Sequence, residues 1–248
     1  MPSPSPVAEI GIPTVAIVAL ALFLSLIWKS APEVRTRPRR VLLAAVGGGG
    51  WLALTMAAAW TGRLADFEAR PPPLVWVMAG TMALGVGVGV SRLGAGLAAL
   101  PVPVLIATQA IRFPLELVMH RAFTDGVMPA QMSYGGWNFD IVVGGLALPA
   151  AWWVARTGSR VVAAAWLALA WTTLGAIAFI SIASAPWIGL FGRSPELLNT
   201  WVAHAPYVWL PAGPVVFALI VQTALTRRLW SQRRSAEAAA GALTPASR

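Results

Sequence analysis

Cysteine is absent from the 248 residues, which removes disulfide frameworks, thiolate metal sites and cysteine nucleophiles together. Lysine occurs once, as Lys29 in a basic turn, so no late helix carries the Schiff-base lysine that a rhodopsin-type retinal protein needs. Histidine occurs twice, at His120 and His204. No HExxH, GxSxG or Walker A pattern is present, so a zincin, a hydrolase elbow and a nucleotide motor are all unsupported. Charge is scarce as well: 11% of residues are charged against 58% hydrophobic, and the mean hydropathy is +0.71. Such a composition cannot make an ordinary soluble surface, and it identifies an integral membrane protein in contact with a lipid bilayer.

What is present is a series of apolar runs, at about 10–28, 41–60, 74–90, 97–120, 139–155, 161–185 and 206–226. A span needs ~20 apolar residues. The fold class expected is therefore all-α, a polytopic bundle of about seven transmembrane helices. Residues 1–230 form one membrane domain, and 231–248 a cytoplasmic tail that is frayed or partly helical. Proline, glycine and arginine punctuate the breaks, as in KSAPEVRTRPRR (29–40) and TGRLADFEARPPP (61–73). The third run is short for a span, and the count is weakest there and at the fifth.

The net charge of +9 could suggest nucleic acid, but the basic residues sit at the ends of apolar runs and not on a polar, aromatic-interleaved face. Nucleic acid is not an expected partner. Alternate breaks place Lys29, Arg35, Arg37, Arg39, Arg40, Arg92, Arg156, Arg160, Arg227, Arg228, Arg233, Arg234 and Arg248 on one side, against Arg63, Arg70, Arg121 and Arg193 on the other. This asymmetry predicts the N-terminus outside and the C-terminus in the cytoplasm. The leader MPSPSPVAE has no basic region, so the first run is expected to be a retained anchor and not a cleaved signal.

Much of the remainder has a plain structural reading. Gly47 to Gly50 and the alternating Gly85, Gly87 and Gly89 lie inside spans and have no following Lys-Ser/Thr, so they are small residues that let helices approach. Trp28, Trp60, Trp137, Trp152, Trp153, Trp187, Trp201 and Trp230 fall near span ends and read as an interfacial belt.

One stretch resists that treatment: IRFPLELVMH, residues 111–120. Positions i, i+4 and i+8 drift by only ~40° each, so Arg112, Glu116 and His120 share one helix face over ~12 Å. Gln109 extends the stripe inward. Such groups in a span must face protein or a water-filled cavity, and they mark function by default. A neutral Arg112–Glu116 pair clamping helices is the plainer alternative. Pro114 between them removes a backbone bond to the carbonyl of Ala110 and predicts a kink. Asn138 and Asp140 open the fifth span and His204 and Trp209 the seventh, all at the outer depth of His120. Asn138 and Asp140 also suit a helix cap with an acid in the first turn, and Trp209 suits packing.

The runs RFPLELVMH, GVMPAQMSYGGWNFD and APYVWLP resemble a group of uncharacterised bacterial integral membrane proteins that share an Arg-x-Pro-x-Glu helix, an Asn-Phe-Asp run and a Val-Trp-Leu-Pro run in this order. The resemblance covers roughly residues 90–230. It implies a multi-helix fold in a bacterial inner membrane and carries over Arg112, Glu116, Asn138, Asp140, Trp209 and Pro211 as motif positions, with no activity attached. Gln222 departs from it where a histidine is expected.

Three classes of function follow. The first is a polar pocket in the outer leaflet that binds a small ligand, ion or proton through Arg112, Glu116, His120, Asn138, Asp140, His204 and Trp209. The second is a membrane enzyme with Glu116 or His120 as acid or base, or with His120, His204, Glu116 and Asp140 around a metal. The third is a structural or accessory subunit whose polar stripe clamps helices. The absence of an obvious inverted repeat weighs against a transporter. No cofactor, substrate or protein partner is named by the sequence. His120 is expected to face Asp140 or His204.

Overall fold

The computed structural model describes residues 5–242. It is all-α, and its helices begin and end where the caps and prolines dictate. Helix α1, Pro6–Ser30, starts at Ser5, whose side chain accepts from the Ala8 amide at 3.3 Å, with Pro6 in the first turn. A 3-10 turn, Val34–Thr36, leads into α2, Arg37–Trp60. Helix α3 is Pro73–Val90. Ser91 ends it and caps α4, Arg92–Ala98, by accepting from Leu93 at 3.1 Å and Gly94 at 3.5 Å. Helix α5, Val102–Thr108, passes through a 3-10 turn, Gln109–Ile111, into α6, Arg112–Thr124. The interruption stands where Pro114 denies Ala110 its partner, so the expected break in the helix is present. Helix α7 is Asp140–Thr157, closed by Gly158 at φ 65°. Helix α8 is Arg160–Ala183, and a π-turn, Pro211–Val215, runs into α9, Val216–Ala242.

Five of these segments are long and apolar enough to cross a membrane: Pro6–Ser30, Val34–Trp60, Pro73–Val90, Val102–Thr124 and Arg160–Ala183. The chain is thus a multi-pass membrane protein by its helices. The fifth and seventh of the expected spans, now α7 and the π-turn with α9, are helical but outside that set. Helix α7 carries Asp140 at its first position and Arg156 near its last, and α9 turns polar from Thr226 onward. The fourth expected span starts later than its apolar run, at Val102, because Pro101 and Pro103 restart the helix and leave α4 as a separate short piece. Residues 231–242 of the expected tail continue α9, and 243–248 lie outside the described residues.

Helix α9 is the central pillar: every residue from Val216 to Leu225 is buried, as a helix surrounded on all sides requires. Helix α3 lies closest to it. A Cβ on Gly85 would stand 2.6 Å from the Leu219 side chain and one on Gly89 2.5 Å from that of Thr223, whereas one on Gly87 would meet nothing. Glycine spacing therefore sets this crossing. The Gly47–Gly50 run behaves otherwise: only Gly48 has a neighbour, Leu20, and the other three face open space.

The helix ends sort into two groups. At one end Ser5 donates to Asp125 at 2.6 Å, Phe67 meets Trp187 at 6.3 Å and Trp137 meets Phe191 at 6.5 Å, tying the start of α1 to the α2–α3, α6–α7 and α8–α9 connections. Gln131 donates to Ser184 at 3.0 Å and to the Leu197 carbonyl at 2.8 Å, which folds the two longest connections onto each other. At the opposite end Arg227 donates to the carbonyls of Gly89 and Ser91 at 2.8 and 2.9 Å. Arg37 stacks on Trp28, Arg156 on Trp152 and Arg234 on Trp230, all within 6 Å. Trp201, expected in the interfacial belt, is instead fully buried among the connections.

Candidate functional site

The polar groups of the fourth helix are brought together with others, in a pairing that helical spacing alone does not give. Arg112 opens α6, and its guanidinium grips Asp140 of α7 through two bonds, Nε to Oδ2 at 2.6 Å and Nη2 to Oδ1. A two-pronged contact of this kind is the strongest arrangement available to an arginine and a carboxylate. Thr173 of α8 donates to the same Oδ1 at 2.6 Å. Glu116, one turn beyond Arg112, accepts instead from Asn138 Nδ2 at 2.8 Å. That amide nitrogen also donates to the Met132 carbonyl at 3.1 Å, and Asn138 Oδ1 accepts from the Asp140 backbone amide at 3.1 Å. The alternative Arg112–Glu116 ion pair is thereby replaced by Arg112–Asp140, and the N-cap of α7, expected at Asn138, falls at Phe139, whose side chain makes no cap bond, while Asn138 one residue earlier accepts from the first helical amide.

Local sequence explains the pairing. A Cβ on Gly144 would lie 2.3 Å from the Phe113 amide nitrogen, so the backbones of α6 and α7 touch there. Gly144 is one turn from Asp140, and the close approach it permits brings that carboxylate under Arg112. All members are buried: relative exposure is 3% for Arg112, 2% for Glu116, 1% for Asn138, 5% for Asp140 and 6% for Thr173. The network joins α6, α7, α8 and the 129–139 connection and is closed to bulk solvent. Two groups within reach of its face keep open valences. Arg112 Nη1 and both amide atoms of Gln109 are buried and carry no hydrogen bond from the protein.

The other expected site residues stand elsewhere. His120 places Nδ1 at 2.7 Å from Ser133 Oγ and stacks on Tyr134 with ring centroids 4.2 Å apart. Its expected partner Asp140 is occupied by Arg112 and Thr173. His204 sits at the start of the α8–α9 return, and partial burial holds its imidazole below the usual histidine range. Trp209 donates from Nε1 to the Leu52 carbonyl at 2.8 Å, and Trp51 returns the contact by donating to the Ala212 carbonyl at 3.1 Å. This reciprocal brace ties α2 to the π-turn around Pro211 and Pro214. Among the described residues no group of three or more His, Asp or Glu side chains is arranged to hold a metal ion, so His120, His204, Glu116 and Asp140 do not converge.

Sequence reading missed Thr173, which sits in the unremarkable run WTTLG of an otherwise apolar helix. It also missed Ser133 as the partner of His120. Gly144 was the available signal for the Arg112–Asp140 pair, as a small residue one turn from a span-opening acid.

Comparison of the chain with protein-family models, with curated proteins and with solved structures gives no match, so no family is identified for it.

Proposed function

We propose that the Arg112–Asp140–Thr173 and Glu116–Asn138 contacts form a structural clamp, and that the protein serves as a structural or accessory subunit of a bacterial inner membrane. It has seven spans, its N-terminus outside and its C-terminus in the cytoplasm. The observation that carries the clamp is closure: every side chain is at least nine-tenths buried, and the one arginine is used on a cross-helix carboxylate. The topology is supported by the basic end described above, where all three Arg–Trp stacks and the Arg227 contacts gather. Helix α7 and the π-turn with α9 supply the two spans beyond the five long apolar ones, the fifth and the seventh in chain order. The bacterial inner membrane rests on the resemblance of the three motif runs.

Arg112→Gln combined with Asp140→Asn tests this. These polar replacements, the second of them isosteric, remove both charges and keep hydrogen-bonding groups at both positions. A clamp predicts a chain that accumulates in the membrane and still complements a deletion strain. Normal accumulation with no complementation would mean that the charges themselves act, and would overturn the clamp.

A second reading is favoured by one observation. Glu116 has an amide as its hydrogen-bond partner, not a cation, although it is 2% exposed. A buried carboxyl of this kind suits proton or ion handling toward Gln109 and the free Nη1 of Arg112. Glu116→Gln keeps its shape and its acceptor oxygen. Loss of complementation by a chain that accumulates normally is the outcome specific to this reading.

A further inference from the structure

At the opposite side of the bundle from the clamp, α2 leans on α1 and meets the π-turn near Trp51, but its first half stands away from α3 and α9. The gap is a cleft of ≈ 530 Å³, within the range of small-molecule sites. Phe23 of α1, Gly47 of α2, Leu84 of α3 and Phe217 of α9 are among its walls. Arg40 is the one charged residue in the lining. Among the described residues no hydrogen bond or ion pair engages the Arg40 side chain. Trp51 crosses the other end, its indole against Gly80 of α3 and its Nε1 on the Ala212 carbonyl.

We propose that this cleft holds one acyl chain of an anionic phospholipid, drawn from the leaflet at the basic end, with the phosphate on Arg40. Three features fit that occupant together. Arg40 and Trp51 are three turns of α2 apart, ~16 Å at 1.5 Å per residue. One leaflet contributes about half of a ~30 Å hydrocarbon core, so the cleft is as deep as a chain is long. Arg40 lies in the basic end beside Arg37 and Arg39, where an anionic headgroup meets a field of its opposite sign. The walls are apolar side chains and helix glycines, which match methylene groups and offer no partner for a polar ligand along the depth of the gap. Gly47 adds no side chain to that wall, and a Cβ there would meet nothing within 4 Å. This inference goes beyond the clamp and does not depend on it.

The test uses the full chain in nanodiscs of phosphatidylcholine doped with a photoreactive acyl probe, carried either on phosphatidylglycerol or on phosphatidylcholine. Labelled peptides are mapped by mass spectrometry. The phosphatidylglycerol probe should label α2 and α9 at the cleft at least fivefold more than the phosphatidylcholine probe. Arg40→Gln should abolish that preference, and Gly47→Phe, which fills the gap, should abolish cleft labelling by both probes. Equal labelling by the two probes in the unaltered chain overturns the proposal, and so does unchanged cleft labelling in Gly47→Phe. So does cleft protection by a second copy, seen as a wild-type dimer that Gly47→Phe dissolves. If Gly47→Phe fails to accumulate, the headgroup preference and its response to Arg40→Gln decide alone.

Discussion

Removing Arg112 should cost far more than its side-chain volume. In Arg112→Ala the carboxylate of Asp140 keeps Thr173 but loses the guanidinium, inside a site where it is 5% exposed. Breaking one side of a buried pair costs ~3–5 kcal/mol, because the remaining charge is left uncompensated. Asp140→Ala should cost as much, since Arg112 then loses both charge-assisted bonds while its Nη1 already lacks a partner. In the double variant no charge is stranded. It should therefore sit close to either single variant and well short of their sum of ~6–10 kcal/mol, a coupling of at least ~2 kcal/mol. Arg112→Ala with Glu116→Ala is the contrasting pair. It leaves Asp140 stranded, so it should be no more stable than Arg112→Ala alone. The measurement is reversible unfolding in mixed micelles, with helicity followed as the denaturing detergent fraction rises. Additivity of Arg112→Ala and Asp140→Ala within ~0.5 kcal/mol would refute the clamp, and rescue by Glu116→Ala would restore the intrahelical pairing in its place.

Gly144→Ala should destabilise by ~1–3 kcal/mol, the usual cost of overpacking, because the new methyl would lie 2.3 Å from the Phe113 amide nitrogen; the same unfolding assay reads it, and a neutral result would show that α6 and α7 have slack at the clamp. Asp125 is held below the usual aspartate range, first by its hydrogen bond from Ser5 and then by Arg121. A folded-state pKa below the unfolded one gives stability that is present above the unfolded value and lost as pH falls through the folded one; stability should therefore decline on acidification below about pH 4, and Asp125→Asn should flatten that slope. A reporter active only in the cytoplasm should work when fused after Trp230 and fail at the N-terminus; the reverse would invert the side assigned to every residue.

The helices were legible because a lipid-facing segment must be apolar for its whole length, and run length survives in the sequence without any partner. Their ends were legible where proline, glycine and arginine interrupt an apolar run, as between α1 and α2 and between α2 and α3. The separation of α4 from the fourth span was not, because leucine and alanine continue the apolar run across a break made by backbone geometry. His120 shows the limit more sharply. Its partners Ser133 and Tyr134 lie in a connection built of single turns, where no periodicity relates one side chain to another, so depth alone suggested Asp140.

The clamp separates what composition can say from what it cannot. That Arg112, Glu116, Asn138 and Asp140 must be satisfied by protein follows from the cost of leaving them in hydrocarbon, and all four are in one network. Which carboxylate takes the guanidinium is a matter of shape. A helix places Glu116 above Arg112 along one face, where an i,i+4 contact is worth only a few tenths of a kcal/mol. The Nε–Nη2 edge of arginine needs two oxygens presented side by side, and a carboxylate on a facing helix can meet that edge squarely. Gly144 decides that α7 comes near enough to do so. The remaining Nη1 of Arg112 is buried without a hydrogen-bond partner, so it is not bonded to Glu116 either. Glu116 is consequently left to an amide, the Asn138 Nδ2 at 2.8 Å.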